Sequence, residues 1–236
     1  VDTIVADLRA RPLADFYDLS FRYLLQRSPE SLTDLGLSAT YGQRDNHLDT
    51  VSGDFLVETY DLVDAIRALL AGYDPTAPTP ADRVTYDAYG WHLDDLARER
   101  PFMHHSYAIN GSLTSEHLKL LRLFTQVHPL ATRANAEDYV ERLWRVKKKV
   151  EQVIEGVRAR HREGLVPPLV AVQSALDTIN SIATASPTDV PFYTSFADRL
   201  PSAEGVDFSA RDSLLREAKA AIEQSVQPAF GSCTRQ

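Results

Sequence analysis

Apolar residues recur along this chain in alternating steps of three and four, the spacing that gathers them on one face of an α-helix. After Arg11-Pro12, a shared face carries Phe16, Leu19, Tyr23 and Leu24. After Ser52 the face is Phe55, Thr59, Leu62, Ile66 and Leu69, and Gly72 stops the run. Tyr86, Tyr89, Leu93 and Leu96 repeat the pattern in a segment that Arg100-Pro101 ends. Thr114 opens a helix with Leu118, Leu121 and Thr125 turned inward. The longest run follows Asn135: Tyr139, Leu143, Val146, Val150, Val153 and Val157 keep the spacing over about five turns, up to Gly164 and Pro167-Pro168. Pro168 starts a helix that reaches Ile182. Residues 185–208 read as a polar, proline-containing connection to a last helix, capped by Ser209, that buries Leu215, Ala218, Ile222 and Val226.

Local starts and stops support this reading. In RSPESLTDLGLS, residues 27–38, Ser28 suits an N-cap, Pro29 the first helical position and Gly36 a left-handed stop. Thr79-Pro80-Ala81-Asp82 places an acid three residues after a capping threonine, a variant of the capping box. DPTAPTP is a connection, and FMHHSYAINGSL, residues 102–113, is a loop. No segment alternates with period two, no internal repeat is visible, and only the opening VDTIVADL is ambiguous between helix and extended arm. The fold class expected is all-α: a multi-helix bundle of mostly antiparallel amphipathic helices, with residues 1–236 in a single helical domain.

Composition narrows the function classes. At 44% hydrophobic and 25% charged residues the chain is globular in type, and no apolar run approaches the length of a membrane span. A net charge of −8 argues against a nucleic-acid partner, because phosphate backbones are repelled. The single cysteine, Cys233, permits neither an internal disulfide nor a cysteine-rich zinc site. No signal-like segment is present, but the chain opens at Val1, which leaves the compartment open between cytoplasmic and exported after loss of an N-terminal signal.

Catalytic constellations are scarce. None of the seven histidines pairs with another at i, i+4, the spacing that turns two helical ligands toward one zinc ion. His104 and His105 are loop neighbours whose side chains diverge, so a loop contact and a solvated ring outweigh a metal site. There is no Gly-x-Ser-x-Gly elbow and no glycine-rich phosphate loop. Asp94-Asp95 and Glu137-Asp138 are adjacent on helices and diverge; the second pair suits the dipole of a first turn. In RVKKKV, Val146 and Val150 keep the buried phase and Lys147, Lys148 and Lys149 fill an outer face. Trp91 and Trp144 read as core or edge packing rather than ligand platforms. Asn110-Gly111-Ser112 forms a tight turn that could present polar groups to a cleft. The candidate binding residues are therefore Asn110, His104 and His105, with no catalytic or metal residue assigned.

Several segments carry a resemblance. RSPESLTDLGL, TPADRVTYDAYGWHLDDL, VHPLATRANAEDYVERL, EGLVPP and QPAF are similar, in the same order, to motifs of the bacterial domain of unknown function 885 family, from about Phe16 to Phe230. The resemblance implies a mostly helical protein related to zinc metallopeptidases, whose metal site lies in a C-terminal half with a His-Glu motif followed by Pro-Gly-His-His. This sequence has no His-Glu pair; Glu116-His117 is the reverse order, and nothing matches Pro-Gly-His-His. The chain thus resembles the N-terminal half, stopping after QPAF with a tail, GSCTRQ, unlike the family's continuation. The expectation is the non-catalytic helical portion of a metallopeptidase-like hydrolase, forming part of a substrate cleft in the intact protein. It would have no cofactor of its own, zinc being expected only with the C-terminal half, and a peptide as substrate of the whole. The alternative is a free-standing helical binding or scaffold module, able to form a homodimer through an exposed apolar surface.

Overall fold

The computed structural model describes residues 1–74, 79–111 and 114–233. The centre of the DPTAPTP connection, Ser112 and Leu113 of the 102–113 loop, and the last three residues of the tail lie outside the described residues. Helices run in the order α1 (Asp2–Leu8), α2 (Leu13–Leu25), α3 (Pro29–Asp34), α4 (Gly53–Leu70), α5 (Pro80–Glu99), α6 (Glu116–Arg122), α7 (Arg133–Arg162), α8 (Leu169–Thr184), α9 (Pro191–Arg199), α10 (Phe208–Ala221) and α11 (Gln227–Cys233). Wider π-helical turns extend α6 (Leu123–Val127) and join α10 to α11 (Ile222–Val226). Among the described residues there is no strand, only an isolated bridge between Thr132 and Glu204, and no helix is long and apolar enough to cross a membrane. The protein is an all-α multi-helix bundle.

The described residues cluster into two compact units within the span that the sequence reading places in one domain: residues Val1–Arg27 with Ser52–Ser106, and Ser28–Val51 with Tyr107–Gln236. In the first unit, α4 packs against α1, α2 and α5 around Leu8, Phe16, Leu62, Val63, Ile66, Leu70 and Leu93. Three neighbours widen the buried face of α4, so Val63 and Leu70 join the predicted Leu62 and Ile66, while Phe55, Thr59 and Leu69 stay half-buried. The buried Ser20 hydroxyl of α2 lies 2.7 Å from the Tyr89 hydroxyl of α5 and 2.6 Å from the Phe16 carbonyl it donates to. Thr79 and Asp82 close the capping box as predicted: the Asp82 N–H donates to Thr79 Oγ1 at 3.4 Å and the Thr79 N–H to Asp82 Oδ2 at 3.1 Å. The ambiguous opening segment is helical as α1.

In the second unit α7, 30 residues and about 45 Å long, packs against α10, the π-turn after it and α11. Tyr139, Leu143, Val146, Val150 and Val153 are buried as predicted, but Val157 is 38% exposed. Four expectations are corrected here. Lys149 does not lie on an outer face; it is 3% exposed. The 185–208 connection contains α9, which Pro191 opens and whose Phe192 and Phe196 are fully buried. The inward positions of α6 and its π-turn are His117, Leu120, Leu123 and Phe124 rather than Leu118, Leu121 and Thr125. Asp207, not Ser209, caps α10, its Oδ1 accepting the Ala210 N–H at 2.7 Å, and Leu214 rather than Leu215 joins Ala218, Ile222 and Val226 in the core. The tryptophans do not sit in the cores: Trp91 is 64% and Trp144 43% exposed.

Candidate functional site

The residues singled out from sequence do not form one site. His104 and His105 follow the 3-10 turn Arg100–Phe102 in the first unit. His105 is exposed, its ring edge against Phe102 at 5.3 Å between centroids. His104 is half-buried, with an Nδ1 atom that has no hydrogen-bond partner among the described residues. Asn110 belongs to the second unit and shapes its own turn: its N–H donates to Ser115 Oγ at 3.1 Å and its Nδ2 to the Tyr107 carbonyl at 2.7 Å. Among the described residues no group of three His, Cys, Asp or Glu side chains is placed to hold a metal ion. Burial pushes the Cys233 thiol up to about 11, which leaves it protonated at neutral pH.

The second unit does hold a dense set of buried charges, and its elements explain why. The corner read in RSPESLTDLGLS forms α3: Ser28 Oγ accepts the Ser31 N–H, Pro29 starts the helix, and Gly36 takes φ +67° to turn the chain back. The following segment runs back along α7, and polar side chains from both close on one another. Lys149 Nζ lies 2.6 Å from Glu30 Oε1 and 3.2 Å from Glu116 Oε2. Asp49 ties the segment to α3, since its Oδ1 accepts the Glu30 N–H at 2.9 Å and its Oδ2 the Ser28 hydroxyl at 2.8 Å. Glu30 returns the contact, accepting the Asp49 N–H at 2.9 Å. Burial acts to lower the Lys149 pKa, but Glu30, Glu116 and Asp49 outweigh it and hold the ammonium above its ordinary value. Burial and the Glu30 charge push the Asp49 carboxyl upward.

About two turns earlier on α7, Arg142 is fully buried. Its Nε donates to the His47 carbonyl at 2.8 Å, its Nη2 to Thr33 Oγ1 at 2.8 Å and its Nη1 to His128 Nδ1 at 3.0 Å. An arginine has no acceptor, so His128 Nδ1 must carry a lone pair and its proton sits on Nε2, which donates to the Asn135 carbonyl at 2.9 Å. Burial and the neighbouring guanidinium drive the His128 pKa down to about 3, in keeping with that neutral tautomer. Burial lowers Arg142 itself to about 10, still charged at neutral pH. Arg44 completes the lattice, donating to Asp138 Oδ1 and Glu141 Oε1, each at 2.8 Å. The sequence assigned Asp138 to a helix dipole; its buried carboxylate instead also accepts the Asp45 N–H at 3.1 Å.

Above this lattice lies a cavity of about 100 Å³ lined by His47, Leu48, Asp49, Thr50, Arg145, Lys148, Lys149 and Gln152. It is the site candidate that polar chemistry favours. A broader cleft of about 390 Å³ in the first unit is lined by Leu13, Ala14, Tyr17, Tyr73, Asp74, Asp82 and Thr85. The only sequence signal for the lattice was phase: Arg142 and Lys149 are seven residues apart, flanking the stripe of Val146, Val150 and Val153.

Fold and lattice define the class: an all-helical protein with an internal network of charges. The chain belongs to the family of bacterial proteins of unknown function DUF885, whose model matches residues 29–235. No curated protein matches it. A solved structure from Colwellia psychrerythraea, titled as that of a "putative lipoprotein", superposes with a TM-score of 0.79 at 20% identity, over 92% of this chain. At that identity the likeness is one of fold. The chain spans 40% of the length of that solved chain.

Proposed function

We propose that this chain is the non-catalytic helical portion of a metallopeptidase-like hydrolase and forms one wall of a peptide-substrate cleft in a longer protein. The observation that carries the reading is the asymmetry of coverage: 92% of this chain matches only 40% of the solved one. The rest of such a longer chain leaves room for a catalytic part. Metal-assisted peptide hydrolysis uses an ion to polarise the carbonyl and activate water, and this sequence lacks the His-Glu pair that the family resemblance associates with that ion. A wall must hold its shape while substrate binds, and the α3–α7 lattice supplies crosslinks that simple apolar packing does not. The test compares this chain with a full-length family member carrying the His-Glu motif, both supplied with zinc, on a panel of quenched fluorescent peptides. Cleavage by the longer protein and none by this chain is expected. Cleavage by this chain, or none by the longer protein, would overturn the reading.

The alternative, a free-standing binding or scaffold module, draws on Val166, Leu169 and Val170 at the start of α8, which are all exposed. It predicts a dimer by light-scattering mass measurement, and dissociation on Leu169→Glu.

A further inference from the structure

We propose that the cavity above the lattice is a binding site for a small oxyanion, a carboxylate or phosphate group. The inference goes beyond the peptidase reading and does not depend on it. α7 contributes Arg145, Lys148, Lys149 and Gln152, the i, i+3, i+4 and i+7 positions of one face, and the segment opposite contributes His47, Leu48, Asp49 and Thr50. A volume of about 100 Å³ holds roughly three waters at about 30 Å³ each, which suits one anionic group rather than a whole metabolite.

The acceptors around the cavity are committed inward. Both Asp49 oxygens receive donors, from the Glu30 N–H and the Ser28 hydroxyl, and Glu30 and Glu116 face Lys149. Apart from His47 Nε2, which carries a lone pair when Nδ1 holds the ring proton, the groups left over at the mouth can donate. Arg145 and Lys148 are exposed and have no hydrogen-bond or ion-pair partner among the described residues, and neither does the Thr50 hydroxyl. Gln152 gives its Oε1 to the Val51 N–H at 3.0 Å, which leaves its amide NH₂ uncommitted. A guanidinium, an ammonium, a hydroxyl and an amide at one small cavity form a charge-assisted donor set for an oxyanion. They do so in a chain whose net charge is −8, so the local sign runs against the overall composition. The His47 ring completes the wall: Asn46 Nδ2 donates to Glu141, which turns the Asn46 carbonyl oxygen to receive the His47 Nδ1 proton.

The test titrates the 236-residue chain with sodium phosphate and separately with sodium acetate, at ionic strength held constant with sodium chloride, and follows the ¹⁵N–¹H spectrum. Saturable shifts at Thr50, the Arg145 side chain and Gln152 are expected, and the stronger of the two anions identifies which group the site takes. Arg145→Gln with Lys148→Gln should weaken that affinity at least about tenfold, since each removed cation is a charge-assisted donor. Lys147→Gln, a neighbouring charge outside the cavity lining, should leave it unchanged. Circular dichroism checks that the double variant folds; should it not, Lys148→Gln alone gives the comparison. Shifts that never saturate, equal displacement by chloride, or equal weakening in Lys147→Gln would overturn the proposal.

Discussion

Lys149 bridges two carboxylates inside the second unit, and its loss would be felt there first. Lys149→Met leaves the half-buried Glu30 without its cation and Glu116 with Lys119 alone, so we expect a destabilisation of about 3 kcal/mol in urea unfolding. Part of that loss should return when Glu30→Leu is added, because the penalty lies in the uncompensated charge. His128 gives the pH dependence its sign. Its folded pKa, about 3, lies below the ordinary 6.5, so between those values the unfolded chain binds a proton that the folded chain does not. Stability from this residue is therefore complete above the ordinary value and falls with acidification, by about 1.4 kcal/mol per pH unit across the window. Urea midpoints taken from neutral pH downward should show that slope, and His128→Gln should flatten it. None of these roles could be read from residue type. A lysine inside a run of three defaults to solvent, and only partners brought from α3 and α6 make its burial tolerable.

At the scale of elements, the strong apolar stripes were legible and the short or offset ones were not. α2, α4, α5, α7 and α8 appear where period and proline placed them. α9 was missed because its nine residues show only Phe192 and Phe196 at i, i+4 amid prolines and polar residues. Those two rings nonetheless enter the core beside Tyr139, with Phe196 stacked on Tyr139 at 4.6 Å between centroids. Phe196→Ala should cost about 3–5 kcal/mol in the same urea assay; a cost under about 1 kcal/mol, the surface range, would contradict that placement. The stripe of α6 is displaced by one position because His117, Leu120 and Phe124 keep the same three-and-four spacing as Leu118, Leu121 and Thr125, and spacing alone does not choose between two adjacent faces. Capping was legible only in part. Thr132 and Asn135 form a reciprocal box at the start of α7, so Thr132→Ala should destabilise by about 1 kcal/mol.

For the whole molecule, two cores predict two maxima of protection in hydrogen exchange. The slowest amides should lie around Leu62–Ile66 of α4 in one unit and Leu143–Val150 of α7 in the other. Fast exchange throughout α4 would show that the first unit lacks a stable core of its own. Helical periodicity could not divide the chain this way, because it tells which face each rod buries and not which rods associate. The unit boundary is crossed by the chain itself: residues 28–51, containing α3, belong with the C-terminal helices.

From its residues alone, the sequence determined an all-helical chain, the faces of its long helices, most of their starts and stops, and membership in a family whose motifs it carries in order. These follow from local rules: backbone capping, proline and glycine geometry, and a spacing of three and four. Tertiary structure alone decided the two units, the helix hidden in a polar connection, the burial of Arg142 and Lys149, and the cavity beside Lys149. A charged side chain can leave water only where several distant residues converge to replace its solvation, and that convergence has no local signature.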